Sequence, residues 1–323
     1  MLRHPVLDSL RPVVGNSAYV RTNARRIEEA GSSLADFSFP AQDYGESFPD
    51  LDKEGTIQFA FVLNSINFQY GDRKNPGLKF GMEYGGKHFD GFFGLAYSLR
   101  KAVEDGVPVL DAKYLENLSG QNALGFLKRN IEIPMFAQRV SVLNQIGKVL
   151  AERYDGQFSN FLSRHYEEFG GGFGLVEFLA KEFPPYNDVQ IFRPTNTPAK
   201  FYKKAQLLFA MLHYNVKADF KLKDIGELTV FADYRLPQAL RDLGILGYSS
   251  ELAGKIDNFI PIPEGSDEEI EIRAHTICAS DILCKEVNRH RKDKITPNQI
   301  DEYLWYEGKK SPKPRHFTQT IFY

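Results

Sequence analysis

One acidic residue in the segment 230–240 is the best candidate for chemistry in this chain. Asp233 lies between two aromatic residues, Phe231 and Tyr234, and Arg235 follows it. Apolar residues precede it, and a proline and a glycine mark the start and the end of a short helix after it. Asp233 is therefore predicted on the segment that connects the apolar stretch to this helix, and not inside the helix. Apolar rings beside a carboxylate raise its pKa, as in catalytic acids and bases. The simpler and commoner alternative is that Asp233 caps the helix or pairs with Arg235.

Two other segments combine charged and aromatic residues. The predicted helix 200–214 opens with several lysines, including Lys203. The free amides of a helix start, together with these lysines, could hold a phosphate. Near the other end of the chain, Asp301, Glu302 and Tyr306 lie close together beside the only tryptophan. A solvated helix start and a core-facing helix with acidic outer positions are the alternative interpretations.

Other motifs are weak. His165 and Glu168 have the spacing of a di-iron ligand pair, but the sequence holds no second copy. The glycine-rich run 170–174 lacks the lysine and hydroxyl residue of a phosphate loop, so a hinge between helices is favoured. Cys278 and Cys284 lie in apolar helical surroundings, which favour inert thiols. The sequence therefore predicts neither a metal site nor a nucleophilic triad.

The segment 236–257 could form a helix-turn-helix. Reading DNA would require a basic second helix, and here Lys255 is offset by Glu251 and Asp257. Two helices joined by a tight turn are also how base-excising glycosylases present a catalytic aspartate. That arrangement suits Asp233 better than DNA reading does.

The composition is that of an ordinary globular protein. A net charge of −2 provides no overall positive field for nucleic acid, and the aromatic content of 13% suits a core or a pocket built from rings. The sequence contains only two cysteines, a content that is typical of proteins from a reducing compartment. No signal peptide or membrane-spanning run is recognisable. We therefore expect a cytoplasmic protein without a membrane partner.

Hydrophobic periodicity predicts a mainly α fold with a small β-hairpin. The hairpin is predicted from 78–84 and 87–91 around Gly85 and Gly86. The apolar run 57–68 fits a helix or a buried strand, and the long turn-rich stretch 37–55 is functional or packed as an Ω-loop. No break in composition divides the chain, so one domain over residues 1–323 is expected. Helical spacing occurs within 5–30, where 23–30 is expected to stop before Gly31, and at 92–105, 111–118, 120–127, 135–154, 158–168, 175–183, 200–214, 249–258, 269–288 and 296–306.

Several of these segments resemble the queuosine salvage family, the queuosine 5′-phosphate N-glycosylase/hydrolase proteins. The resemblance runs through most of the chain, and the motif Phe-Ala-Asp-Tyr-Arg-Leu-Pro-Gln around Asp233 is its most specific part. The other matching segments are 201–206, 269–273 and 301–305, with weaker similarity at 65–68, 183–188 and 320–323.

The resemblance implies a helical fold similar to DNA glycosylases, of the helix-hairpin-helix type. It implies hydrolysis of the N-glycosidic bond of queuosine 5′-phosphate to queuine and ribose 5-phosphate, without a metal or organic cofactor. Asp233 would be the catalytic carboxylate and Phe231 would stack on the base. Asp301 and its neighbours Glu302 and Tyr306 would line the queuine pocket.

Two features of this sequence depart from the family pattern. The family reads Asp-Tyr-Tyr-Leu-Trp-Asp at the C-terminal pocket, whereas Glu302 replaces the first tyrosine here and Tyr306 the last aspartate. A family histidine of the long loop has no clear counterpart, and Phe39, Gln42 or Asp43 occupy that region. The substrate is therefore expected to be queuosine 5′-phosphate or a relative, such as the free nucleoside or a precursor base.

The residues that would meet the 5′-phosphate are hypothesised to be Lys203 or Arg235. The substrate is expected to be a small molecule, with no stable nucleic-acid partner. A DNA or RNA base glycosylase is the alternative enzyme, although phosphate-backbone binding normally needs clustered basic residues. A non-catalytic protein that binds queuine or its nucleotide is the other alternative.

Overall fold

The computed structural model describes residues 4–40, 46–71, 77–166 and 174–323, and within them the fold is mainly helical. The expected mainly α class is therefore confirmed. The helices are α1 Pro5–Gly15, α2 Ala24–Ser33, α3 Lys53–Ser65, α4 Gly91–Glu104, α5 Ala112–Glu116, α6 Gly120–Leu127, α7 Phe136–Arg153, α8 Phe158–His165, α9 Gly174–Glu182, α10 Lys203–Tyr214, α11 Arg235–Asp242, α12 Ser250–Asp257, α13 Asp267–Arg289 and α14 Pro297–Lys310. Short 3₁₀ helices cover Pro184–Tyr186, Val216–Ala218 and Ile225–Glu227.

The strands form short antiparallel pairs. The predicted hairpin is confirmed as β2 Gly81–Tyr84 with β3 Lys87–Asp90, and the positive φ angles of Gly85 and Gly86, 56° and 74°, suit its tight turn. Two further pairs were not predicted. They join β1 Val20–Thr22 to β6 Leu246–Tyr248, and β4 Val189–Phe192 to β5 Thr197–Lys200.

The apolar run that fitted helix or strand is helix α3. Every residue from Thr56 to Ser65 is buried, so the helix is surrounded by other elements and lacks a polar face. The long helix α13 is the other central element, and α1, α2, α11 and α14 pack against it. The buried apolar side chains join into one hydrophobic core.

Three local predictions were wrong. Helix α2 does not stop before Gly31 but continues to Ser33. The glycine serves packing instead of ending the helix: it lets α13 approach, since a Cβ here would lie 2.5 Å from Cγ of Glu286. The helix predicted from residue 200 starts at Lys203, since Lys200 ends β5 and Tyr202 has a left-handed backbone conformation with φ 51°. In the proposed helix-turn-helix, α11 and α12 are separated by β6, which pairs with β1, and not by a tight turn.

Some expectations concern residues that the structure does not describe. Glu168 and most of the glycine-rich run lie outside the described residues, and so do Gln42 and Asp43 of the long loop. None of the described helices has the length and apolar character needed to cross a membrane.

Candidate active site

A cavity between the loop 67–71, the start of α4, the connector 231–235 and helix α14 contains every residue that was predicted to be catalytic or to bind substrate. Residues from distant parts of the chain meet there because α14 packs against α11 and α13. The predicted site residues in its wall are Lys203, Phe231, Asp233, Arg235, Asp301, Glu302 and Tyr306.

Asp233 is fixed at the entrance to α11. Its Oδ1 accepts hydrogen bonds from the backbone N–H groups of Arg235 at 2.6 Å and Leu236 at 3.2 Å. This is the helix-capping role expected as the simpler alternative. The Arg235 guanidinium does not pair with it, because it donates to Oε1 of Gln238 and to the carbonyl of Gly308 instead. In the described part of the chain, Oδ2 of Asp233 accepts no hydrogen bond, so one oxygen orients the carboxylate while the other can act in the cavity.

Lys203 supplies a positive charge to the same part of the cavity. The residue is only 6% exposed, and among the described residues its ammonium has no hydrogen-bond acceptor. Burial lowers the pKa of Lys203, whereas the negative charges of Asp233 and Asp301 favour its protonated form. Burial likewise raises the pKa of Asp233, and the charge of Lys203 opposes that rise. Because little water screens these buried groups, the ionisation of each one depends on the charge of the others.

Asp301 is the second carboxylate of the site. Its Oδ1 accepts the backbone N–H of Phe231 at 2.6 Å, which ties α14 to the connector that carries Asp233. Burial raises the pKa of Asp301 well above that of a free aspartate. The negative charge of Asp233 adds to this rise, and the charge of Lys203 opposes it.

Helix α14 presents one continuous stripe to the cavity. Its members are Asp301, Glu302, Trp305, Tyr306 and Lys309, at the spacing of neighbours on one helical face. Oε2 of Glu302 is buried and has no hydrogen-bond partner in the part of the chain described, and burial raises the pKa of this residue to about 7. The ammonium of Lys309 lies 3.6 Å from the centroid of the Trp305 ring, and Tyr306 remains 42% exposed.

Sequence reasoning missed a group of cations around Arg235. Lys79, Lys309 and Arg315 line the same cavity. Burial lowers the pKa of Arg235, and the positive charge of Arg315 lowers it further. The Arg315 guanidinium also lies 4.1 Å over the ring of Tyr234. Basic residues recur from 309 to 315, and this run was the available signal. The positive charges thus group around Arg235, whose charge also opposes the rise in the pKa of Asp233 that burial causes.

Two buried arginines support the cavity wall. Arg139 donates to the carbonyls of Ile66, Phe68 and Gln69, and so holds the loop that lines the cavity. Arg273 donates to both carboxylate oxygens of Asp188, and Asp188 accepts the backbone N–H of Lys203. Both arginines act through the backbone segments they hold and do not line the cavity.

The long-loop aromatic Phe39 is not part of this cavity wall. Its ring packs edge-on against those of Phe37 and Tyr303. Among the residues described, no group of three or more histidine, cysteine, aspartate or glutamate side chains has a metal-binding arrangement.

Comparisons with known proteins agree with the resemblance seen in the sequence. The family described as "Queuosine salvage protein" matches residues 47–323. A protein from Sphaerobacter thermophilus, named queuosine 5′-phosphate N-glycosylase/hydrolase, is 35% identical over 84% of this chain and 82% of its own length. Proteins of the same name from Mus musculus and Bos taurus are 30% and 29% identical over the same shares. The chain belongs to the queuosine salvage protein family.

Proposed function

We propose that this protein hydrolyses the N-glycosidic bond of queuosine 5′-phosphate and releases queuine and ribose 5-phosphate. The observation that carries the proposal is the carboxylate of Asp233, fixed by two backbone N–H groups in a cavity that also holds Lys203 and Asp301. The relatives named above support the substrate, since each carries the name of this activity.

The chemistry follows from the charge that develops during bond cleavage. Departure of the base leaves the ribose with oxocarbenium-like positive charge at C1′, and a carboxylate beneath that carbon stabilises it. Asp233 has the required free oxygen. Burial raises the pKa of Asp233, and the charge of Lys203 opposes this rise and so favours the ionised carboxylate. The same oxygen serves direct attack on C1′ or activation of a water molecule, and both routes consume one water overall.

The base is held by rings and by Asp301. Phe231 lines the cavity, and stacking on an aromatic ring contributes about 1–3 kcal/mol per base. Asp301 keeps an oxygen available after accepting the Phe231 N–H, which suits the guanine-like N–H donors of the base. Tyr306 and Glu302 extend this wall along α14.

Of the two residues hypothesised for the 5′-phosphate, the surroundings favour Arg235. Arg315, Lys309 and Lys79 share its end of the cavity, whereas Lys203 faces two carboxylates, which repel a phosphate. We expect Arg235→Ala to reduce the preference for queuosine 5′-phosphate over queuosine more than Lys203→Ala does. Equal preference in both variants and the wild type would contradict the assignment.

The direct test is release of base from a set of substrates. Purified protein is incubated with queuosine 5′-phosphate, queuosine and GMP, and free base is measured by mass spectrometry. Asp233→Asn should lose about 10²–10⁴ in rate and keep substrate binding. The matched control Asp242→Asn changes an exposed aspartate of α11 and should keep the rate. Binding without turnover in the wild type would support the binding-protein alternative, and release from tRNA or DNA alone would support the polynucleotide glycosylase.

The proposal extends to the architecture. One continuous core supports a single domain over residues 1–323. A DNA-glycosylase-like fold of the helix-hairpin-helix type is supported by the helical content and by the aspartate at the start of α11, although β6 separates α11 from α12.

A further inference from the structure

The cavity wall formed by α14 changes its charge along the helix. Asp301 and Glu302 lie towards the start, and Lys309 follows Glu302 by seven residues. At 1.5 Å per residue this separation is about 10 Å along the axis. Trp305 and Tyr306 lie between the two ends. The wall therefore offers a negative end and a positive end joined by aromatic rings.

The two acids at the negative end have different surroundings. Asp301 is engaged by the N–H of Phe231 and is coupled to Asp233 and Lys203. Oε2 of Glu302 is closed off from solvent and accepts no hydrogen bond within the described residues. A buried carboxyl group without a partner costs free energy unless it is neutral or meets a cation. Glu302 is therefore the acid of this wall that lacks a counter-charge.

The proposed substrate has a matching distribution of charge. Its phosphate is anionic, and the side chain of its base contains a secondary amine that is cationic at neutral pH. We infer that Glu302 is a specificity-determining residue that pairs with this amine, leaving Asp301 to the N–H donors of the deazaguanine ring. The inference rests on the proposed function, because it takes queuine as the base.

This pairing has a consequence for pH. Burial raises the pKa of Glu302 to about 7, so the free protein holds this group partly as the acid at neutral pH. The cationic amine requires the carboxylate, and binding must displace the proton. Affinity for queuine should therefore fall as pH decreases below 7, where the amine stays charged.

Other titrating groups of the cavity can be separated from this effect. Besides Glu302, the cavity is lined in the described chain by the carboxylates of Asp90, Asp233 and Asp301 and by the cations Lys79, Lys203, Arg235, Lys309 and Arg315. A base without the aminomethyl side chain, 7-deazaguanine, meets these same groups. The ratio of the affinities for queuine and 7-deazaguanine thus isolates the contribution of Glu302.

The test is calorimetric binding of queuine and 7-deazaguanine at pH 5.5, 6.5 and 7.5. The wild type should prefer queuine by about 10- to 100-fold at pH 7.5, the range of a hydrogen bond to a charged group, and the preference should fall about tenfold at pH 5.5. Glu302→Gln should lose most of the preference and its pH dependence. The matched control Glu307→Gln, which removes a carboxylate that pairs with Lys310 on the same helix, should keep both.

A Glu302→Gln protein with the wild-type preference and pH dependence would overturn the inference. A wild-type preference that does not change between pH 5.5 and 7.5 would overturn it as well, whether or not the variant folds. Hydrolysis of queuosine 5′-phosphate by the wild type is measured in parallel. If the wild type hydrolyses queuosine 5′-phosphate but Glu302→Gln keeps the preference for queuine, the inference fails and the proposed function stands. If Glu302→Gln loses the preference but the wild type hydrolyses nothing, the pairing stands and the hydrolase is refuted.

Discussion

Replacing Lys203 by methionine tests whether this lysine favours the ionised form of Asp233, the proposed catalytic carboxylate. The side chain is 6% exposed, and its charge is the largest of the effects that lower the pKa of Asp233. An opposite charge close to a carboxylate lowers its pKa by about 1–3 units. The lower end of this range applies, because Lys203 also interacts with Asp301. The pKa of Asp233 should then rise by about 1 unit, which corresponds to about 1.4 kcal/mol.

The sign of the effect on activity follows from the form of Asp233 that acts. The ionised carboxylate is required, so kcat/KM falls as pH decreases through its pKa. In Lys203→Met this acid limb should move about 1 unit towards neutral pH, and the rate on the limb should fall about tenfold at fixed pH. The alkaline limb that reports deprotonation of Lys203 should lie below the pKa of a free lysine in the wild type and disappear in the variant.

The assay is release of queuine from queuosine 5′-phosphate between pH 4.5 and 9.5, with circular dichroism to verify folding. Lys200→Met is the matched control, because Lys200 pairs with Glu177 at 2.6 Å and does not line the cavity. An acid limb at the same pH in Lys203→Met and in the wild type would refute the coupling. A shift of equal size in Lys200→Met would assign the effect to the overall charge of the protein.

Three stability predictions concern a buried ion pair and the packing of two helical glycines. Arg273→Met leaves Asp188 buried without its cation and should lower the free energy of unfolding by about 3–5 kcal/mol in urea denaturation, and a loss below about 1 kcal/mol would contradict the importance of this pair. Gly308→Ala places a Cβ 2.5 Å from the carbonyl oxygen of Arg235 and should cost about 1–3 kcal/mol. Gly254→Ala meets no atom within 4 Å inside α12 and should stabilise by about 0.5–1 kcal/mol, so a lower melting temperature there would contradict the packing described.

The sequence predicts a helix well where exposed and buried residues alternate with the helical period. The periodic segment 120–127 coincides with α6, and 92–105 differs from α4 by one residue at either end. Helix α3 could not be distinguished from a strand, because it is buried on all sides and its periodicity is lost. The pair β1–β6 was missed because three residues are too few to show alternation, and its partners are far apart in sequence.

The two sides of the candidate site differ in how far they could be predicted. Asp233 and Asp301 lie in segments of unusual local composition, so each could be selected without knowledge of the fold. Lys79 has no such local signal, and the basic run 309–315 that contains Arg315 does not by itself indicate a cavity. Both residues reach the cavity because the C-terminal segment and the chain before β2 converge on the connector, which is a property of the tertiary structure.

The buried charged residues behind the cavity are best explained by their role in holding the start of α10 in place. Arg273, Asp188 and Glu269 are nearly inaccessible to solvent, and hydrophobic residues of similar volume often give equal or greater stability in such places. Their hydrogen bonds, however, lead to the site: Asp188 accepts the N–H groups of Phe201 and Lys203, at its carbonyl and its carboxylate respectively. An apolar replacement would keep the core filled but would no longer hold the start of α10. We therefore attribute this network to holding Lys203 where its charge favours the ionised form of Asp233.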